Sequence, residues 1–179
     1  AVNPMMYSWN RVMFRNCDGS MFLGSADVPS SANGGQSLFI RGRDNAFAAI
    51  EALLQRHGLD EATEVVLAGC SAGGVAVVML ADQIRERLEV AAATRRGRVF
   101  VASLSDSGVF PEWSGAVPQG LLHFPQFEWL HSFANVTESL PKSCVERGLG
   151  WRCLLVGTAL PHVKTPVFVL QSVIDSWQV

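Results

Sequence analysis

Long stretches of a single character are missing from these 179 residues. No basic run interrupts a net charge of −2, so there is no electrostatic footprint for nucleic acid. The longest apolar stretches are strand-length or broken by polar residues, which argues against a transmembrane helix. The four cysteines, Cys17, Cys70, Cys144 and Cys153, form no C-x-x-C pair, and no histidine stands at zinc-ligand spacing from them. That pattern speaks against a metal site. There is no internal repeat and no low-complexity segment. The start, Ala1-Val2-Asn3-Pro4, lacks both an initiator methionine and a signal-peptide pattern. The last residue, Val179, follows closely on a strand and a loop. The expectation is a single partial domain, residues 1–179, incomplete at both ends.

What is present favours a folded core. Apolar residues make up 49% of the chain and charged residues 17%, which is incompatible with disorder. Residues 65–68, 99–104 and 167–171 are short apolar runs of the kind buried in parallel sheets. Residues 43–57 repeat apolar side chains at helical spacing (Ala46, Phe47, Ala49, Ile50, Leu53, Leu54) and stop at Gly58. A second amphipathic helix is expected over residues 75–88. Residues 11–15 read as a short strand ending in the turn Asn16-Cys17-Asp18-Gly19. Residues 24–36 read as a loop, and residues 37–40 as a short apolar piece. Between 111 and 165 the pattern is irregular, with helical pieces at 126–133 and 136–144. Strands alternating with helices predict a three-layer α/β fold with a mostly parallel sheet.

The pentapeptide Gly69-Cys70-Ser71-Ala72-Gly73 lies between the first apolar strand and the second helix. Strand, tight turn, helix is the setting in which G-x-S-x-G forms a nucleophile elbow. Ser71 is then the candidate nucleophile, and the backbone N–H of Ala72 one oxyanion donor. Gly69 and Gly73 let neighbouring backbone come close. An alcohol needs a base, and the base needs a carboxylate to hold its tautomer. Ligands of open parallel sheets bind at the carboxyl ends of the strands. Two carboxylates fall there: Asp175, which suits the acid role, and Asp106, a competing acid that would otherwise cap a turn. Trp177 is a candidate wall of the site, ahead of Trp9, Trp113, Trp129 and Trp151, which suit packing or loop anchoring.

The expected order of such a triad is serine, acid, histidine. His57, His123, His131 and His162 all precede Asp175, so the base is expected downstream of Val179. Gly34-Gly35 reads as a flexible turn, and the second oxyanion donor is expected upstream of Ala1. Cys144 and Cys153 stand close enough in sequence to close a small disulfide ring, or to remain two free thiols. Cys70 reads as a small buried packing residue. The sequon Asn135-Val136-Thr137 makes Asn135 a glycosylation candidate and hints at a secretory route.

Several motifs run in one order along the chain: Trp9-Asn10-Arg11-Val12, Cys17-Asp18-Gly19-Ser20, Arg41-Gly42, Gly69-Cys70-Ser71-Ala72-Gly73-Gly74 and Ser105-Asp106-Ser107-Gly108. Leu140-Pro141-Lys142-Ser143-Cys144 and Asp175-Ser176-Trp177-Gln178 follow. Together they resemble the pectin acetylesterases, relatives of the Notum carboxylesterases, and the last motif is more like the plant-type branch. The resemblance implies an α/β-hydrolase-like fold and a secreted or cell-wall esterase. It implies Ser71 as nucleophile, Asp175 as acid and a Cys144–Cys153 disulfide. The substrate it implies is an acetylated polysaccharide such as pectin, and the serine mechanism requires no cofactor. Two alternatives stand beside it: a carboxylesterase acting on a lipid-acylated protein, as in the Notum branch, and an inactive homologue that binds carbohydrate or a partner.

Overall fold

A computed structural model describes residues 4–29, 35–94, 97–110 and 123–175. Trp113, Trp177, Ser176 and Gln178 lie outside the described residues. The centre is a parallel three-stranded sheet in the order β3 (Glu64–Cys70), β4 (Phe100–Asp106), β5 (Val167–Leu170). Ahead of it, β1 (Ala26–Pro29) and β2 (Ser37–Ile40) form an antiparallel hairpin. The helices are α1 (Gly42–Arg56), α2 (Ala72–Met79), α3 (Ala81–Ala93), α4 (His123–Phe133), α5 (Lys142–Glu146) and α6 (Val156–Ala159). No described helix is long and apolar enough to cross a membrane.

The helix α2 is only eight residues long, too short to be stable by propensity alone. Its stability comes from burial. Val75 and Val78 are wholly enclosed and Met79 nearly so, worth roughly 1.5–3 kcal/mol each. The Ser103 hydroxyl on β4 donates to the Val77 carbonyl at 2.8 Å, which fastens the helix to the sheet face carrying Val101, Ser103 and Ser105. The opposite face of the sheet is open among the described residues, where Phe100, Phe168 and Leu170 are 57, 66 and 52% exposed. The α/β architecture with parallel strands is therefore as expected, with helices packed on the Val101 face.

Four details depart from the sequence expectations. Residues 11–15 form no strand: Val12 and Met13 are exposed, and no described segment pairs with them. The segment read as a loop holds β1, because Ser37–Ile40 supplies an antiparallel partner in full register. Pro29 is tolerated there as the last residue of an outer strand. The helix expected over 75–88 begins at Ala72 and divides at Leu80, separating an all-apolar helix from an amphipathic one. The outer strands β3 and β5 are half-exposed rather than buried, and Cys70 is exposed, because each is paired on one side only and part of one sheet face is open.

The expected bridge is present: Cys144 and Cys153 are joined and fully enclosed. Gly58, with φ of 71°, follows the end of α1 as expected. The exposed residues Cys17 and Cys70 are free thiols.

Candidate active site

The last paired residues of the three strands, Cys70, Asp106 and Leu170, share one register row. The next residue on each strand is Ser71, Ser107 and Gln171. Parallel strands lie about 4.8 Å apart, so this row spans roughly 10 Å at the carboxyl edge of the sheet. Asp175 follows four residues beyond Gln171.

Ser71 connects β3 to α2 with φ 54° and ψ −118°, a conformation that costs an L-residue about 1–3 kcal/mol. Its surroundings hold it there. Its N–H donates to the Asp106 carbonyl at 2.9 Å, and its own carbonyl accepts from Val75 N–H at 3.1 Å. The close passage of the turn depends on Gly69, where a Cβ would stand 2.2 Å from the Gly73 carbonyl oxygen and 2.3 Å from its carbon. Gly73 itself needs no such room: a Cβ there meets no described atom within 4 Å. The two motif glycines therefore play different parts. Ala72 opens α2, so its N–H belongs to the first-turn donors that have no acceptor within the helix.

Ser71 is exposed and borders a cavity of about 180 Å³, lined also by Met21, Ala72, Phe110, Gln126 and Phe127. The Phe110 and Phe127 rings are tilted against one another with centroids 5.4 Å apart. Met21 and Phe22 have φ of 56° and 62°, and a hydrogen-bonded knot fixes the turn that carries them. Asp18 accepts from the Ser20 N–H (3.0 Å), the Ser20 hydroxyl (2.9 Å) and the Arg41 N–H (2.8 Å). The buried Ser20 hydroxyl also accepts from Gly24 N–H at 3.1 Å. Cys17-Asp18-Gly19-Ser20 and Arg41-Gly42 thus form one structural unit, and that unit sets Met21 at the cavity.

The other sequence candidates are placed as follows. The Asp106 carboxylate accepts from the Ser107 hydroxyl at 2.9 Å, and the Ser107 N–H donates to Leu170 at 2.7 Å, so this loop ties β4 to β5. Asp175 is half-buried and accepts from Gln171 Nε2 at 3.0 Å. His57 is exposed at the end of α1, His131 lies in the last turn of α4, and His162 pairs through Nδ1 with the Ser143 hydroxyl at 2.9 Å. Trp129 is exposed and stacks on Phe133 at 4.3 Å between centroids, on the side of α4 away from Phe127. Asn135 is exposed, and its side-chain amide donates to the Ser25 carbonyl. Met21, Phe110, Gln126, Phe127 and Gln171 were not singled out from sequence. Phe110 and Gln171 alone carried a signal, since each lies at or just past a strand's carboxyl end.

A strand–serine–helix elbow at the carboxyl edge of a parallel sheet defines the class, that of α/β-hydrolase-like folds. Within it, the chain belongs to the pectinacetylesterase family, whose model matches residues 1–179. It is 32% identical over 181 residues to pectin acetylesterase 7 of Arabidopsis thaliana, covering 100% of this chain and 43% of that protein. It is 33% identical over 180 residues to pectin acetylesterase 5 of the same plant, covering 99% of this chain and 39% of that protein. The chain thus spans less than half the length of these relatives. The solved structure of the Wnt deacylase Notum from Drosophila superimposes with a TM-score of 0.75 at 26% identity, covering 90% of this chain and 46% of that one.

Proposed function

We propose that the protein is a serine carboxylic-ester hydrolase that removes O-acetyl groups from a pectin-type cell-wall polysaccharide. The observation that carries this reading is Ser71, held at positive φ in the elbow and bordering the 180 Å³ cavity. The named activity of the Arabidopsis relatives supports the acetyl substrate.

In this mechanism Ser71 Oγ attacks the acetyl carbonyl carbon while an imidazole takes its proton. The oxyanion sits at the Ala72 N–H, a donor of a kind worth about 2.7–4 kcal/mol. The imidazolium then protonates the departing sugar oxygen, leaving an acetyl-serine. Water, deprotonated by the same imidazole, releases acetate and restores the serine. Asp175 holds the imidazole in its working tautomer. His57, His131 and His162 do not line the cavity beside Ser71, and the serine, acid, histidine order leads this reading to take the base from beyond Asp175.

The apolar lining by Met21, Phe110 and Phe127 favours the second reading, a Notum-like deacylase of lipid-acylated protein. The Cys144–Cys153 bridge supports an extracellular or cell-wall location, where disulfides persist.

The test is hydrolysis of acetyl, butyryl and octanoyl esters by the full-length protein and by Ser71→Ala. The expected result is a preference for acetyl that is abolished in the variant while its circular dichroism is unchanged. Undiminished hydrolysis by Ser71→Ala refutes the reading, and a preference for octanoyl favours the Notum-like one.

A further inference from the structure

We propose that Gln171 is a positioning residue for the acid of the reaction, locking the Asp175 loop to the loop that follows β4. This inference rests on the reading of Asp175 as the triad acid. Gln171 is the first residue past β5, and its side chain bonds in two directions. Oε1 accepts from the Val109 N–H at 3.0 Å, and Nε2 donates to Asp175 Oδ2 at 3.0 Å.

The two partners dictate the residue type. A backbone N–H demands an acceptor, and a carboxylate demands a donor. Among uncharged side chains, an amide supplies both from one planar group. An ionised glutamate would satisfy Val109 and repel Asp175. An apolar side chain would leave both bonds unmade.

The bridge also reaches the nucleophile. Val109 follows Gly108, which lies against Gly74 in the first turn of α2. A Cβ on Gly108 would stand 2.7 Å from the Gly74 carbonyl carbon, and a Cβ on Gly74 would stand 2.9 Å from Gly108 Cα. The elbow helix, the β4 loop and the acid loop are therefore linked in series: Gly74 touches Gly108, Val109 donates to Gln171, and Gln171 donates to Asp175. The segment between Gln171 and Asp175, residues 172–174, is exposed. Gln171 does not line the cavity, so its effect is on the chemical step rather than on substrate binding.

The experiment measures kcat, KM, melting temperature and the pH profile of acetyl-ester hydrolysis in the full-length protein. Its variants are Gln171→Met, Gln171→Glu, Asp175→Asn and the double variant Gln171→Glu/Asp175→Asn. Gln171→Met is expected to lower kcat about 10-fold or more with KM within about threefold, the split expected when only transition-state interactions are lost. Gln171→Glu keeps size and the Val109 bond and adds a negative charge beside Asp175. It is expected to lower kcat and to move the acid limb of the profile to higher pH, since that charge favours the imidazolium. Asp106 is the other carboxylate at this edge, and it is unchanged in all variants. Asp175→Asn is expected to lose about 10⁴-fold in kcat. Adding Gln171→Glu to it should cost little more, because Gln171 acts through Asp175.

The proposal is overturned if Gln171→Glu retains the parent kcat and pH profile. It is equally overturned if kcat falls only in step with melting temperature while the acid limb stays in place. Should Gln171→Met fail to fold, Gln171→Glu alone decides. If Asp175→Asn retains activity, the acid assignment has failed, an outcome distinct from failure of the Gln171 bridge in a protein that Asp175→Asn inactivates.

Discussion

Replacing each elbow glycine by alanine should give effects of opposite sign. A Cβ on Gly69 falls 2.3 Å from the Gly73 carbonyl carbon. Carbon atoms normally meet at about 3.5 Å or more, so about 1.2 Å must be found by moving backbone. The first turn of α2 cannot yield freely. Gly74 is already against Gly108, Val75 and Val78 are fully enclosed, and Ser103 holds the Val77 carbonyl. Overpacking that side chains can absorb costs about 1–3 kcal/mol. Here both sides of the clash are backbone, so we expect the upper end, about 3 kcal/mol or slightly more. Alanine recovers about 0.5–1 kcal/mol of backbone entropy, which leaves a net loss of about 2–3 kcal/mol. Gly73→Ala meets no described atom and sits in a helix, where alanine is favoured over glycine by about 1 kcal/mol.

Urea denaturation measures the difference directly, provided that m is unchanged between variants. For a chain of this size Gly69→Ala should lower Tm by about 4–12 °C, and Gly73→Ala should raise it by about 1–4 °C. In the full-length protein Gly69→Ala should also lose about 100-fold in hydrolysis, the order of effect of a 1 Å displacement at a reacting centre. Equal destabilisation by the two alanines would refute the argument, because a motif-level requirement for glycine predicts equality and the Cβ distances do not.

Two further expectations concern stability. Burial raises the pKa of Asp82, but hydrogen bonds from the Lys164 N–H and from the hydroxyl and N–H of Thr165, with Arg85 nearby, outweigh it and hold the carboxyl below its ordinary 3.8. A lowered folded-state value means that the stabilisation is present above pH about 4 and is lost as pH falls through the folded value. Asp82→Ala should therefore cost about 2–3 kcal/mol at pH 7, because buried Thr165 loses its partners, and the gap from the parent should shrink below pH 4 in pH-stepped urea melts. A gap that stays constant down to pH 2 would refute the assignment. Replacing both Cys144 and Cys153 by serine removes a cross-link across nine positions, for which loop-closure entropy predicts a loss of about 2.5–3 kcal/mol in the same assay.

How legible each part was from sequence follows from the range of the forces that place it. The elbow is local: an apolar strand, a glycine that backbone must approach and an apolar helix are contiguous, so residues 64–79 could be read as one piece. The hairpin β1–β2 depends on partners eight to fourteen positions away, and its first strand lies within Gly-, Ser- and Pro-rich sequence that reads as loop. The exposure of Cys70 depends on which side of β3 is paired, which composition does not encode. The turn at Asp18 and the Arg41-Gly42 step read as two motifs because the bond from Arg41 N–H to Asp18 spans 23 positions. The bond that Gln171 makes was not legible, since its partner Val109 lies 62 positions earlier.

Parallel register offers a way to recover such residues. Once Cys70, Asp106 and Leu170 are known to share a row, Ser71, Ser107 and Gln171 are the next residues on neighbouring strands. In that row Ser71 N–H is bound to Asp106, Ser107 N–H to Leu170, and Gln171 to both Val109 and Asp175. Each strand end is thus tied to its neighbour by a polar contact from the residue just past the ladder. That repeated tie is why a strained serine and a carboxylate on separate, exposed loops can be held in fixed relation. It predicts that the side chains deciding catalytic geometry in such sheets lie one residue beyond the last paired row, even where no motif marks them.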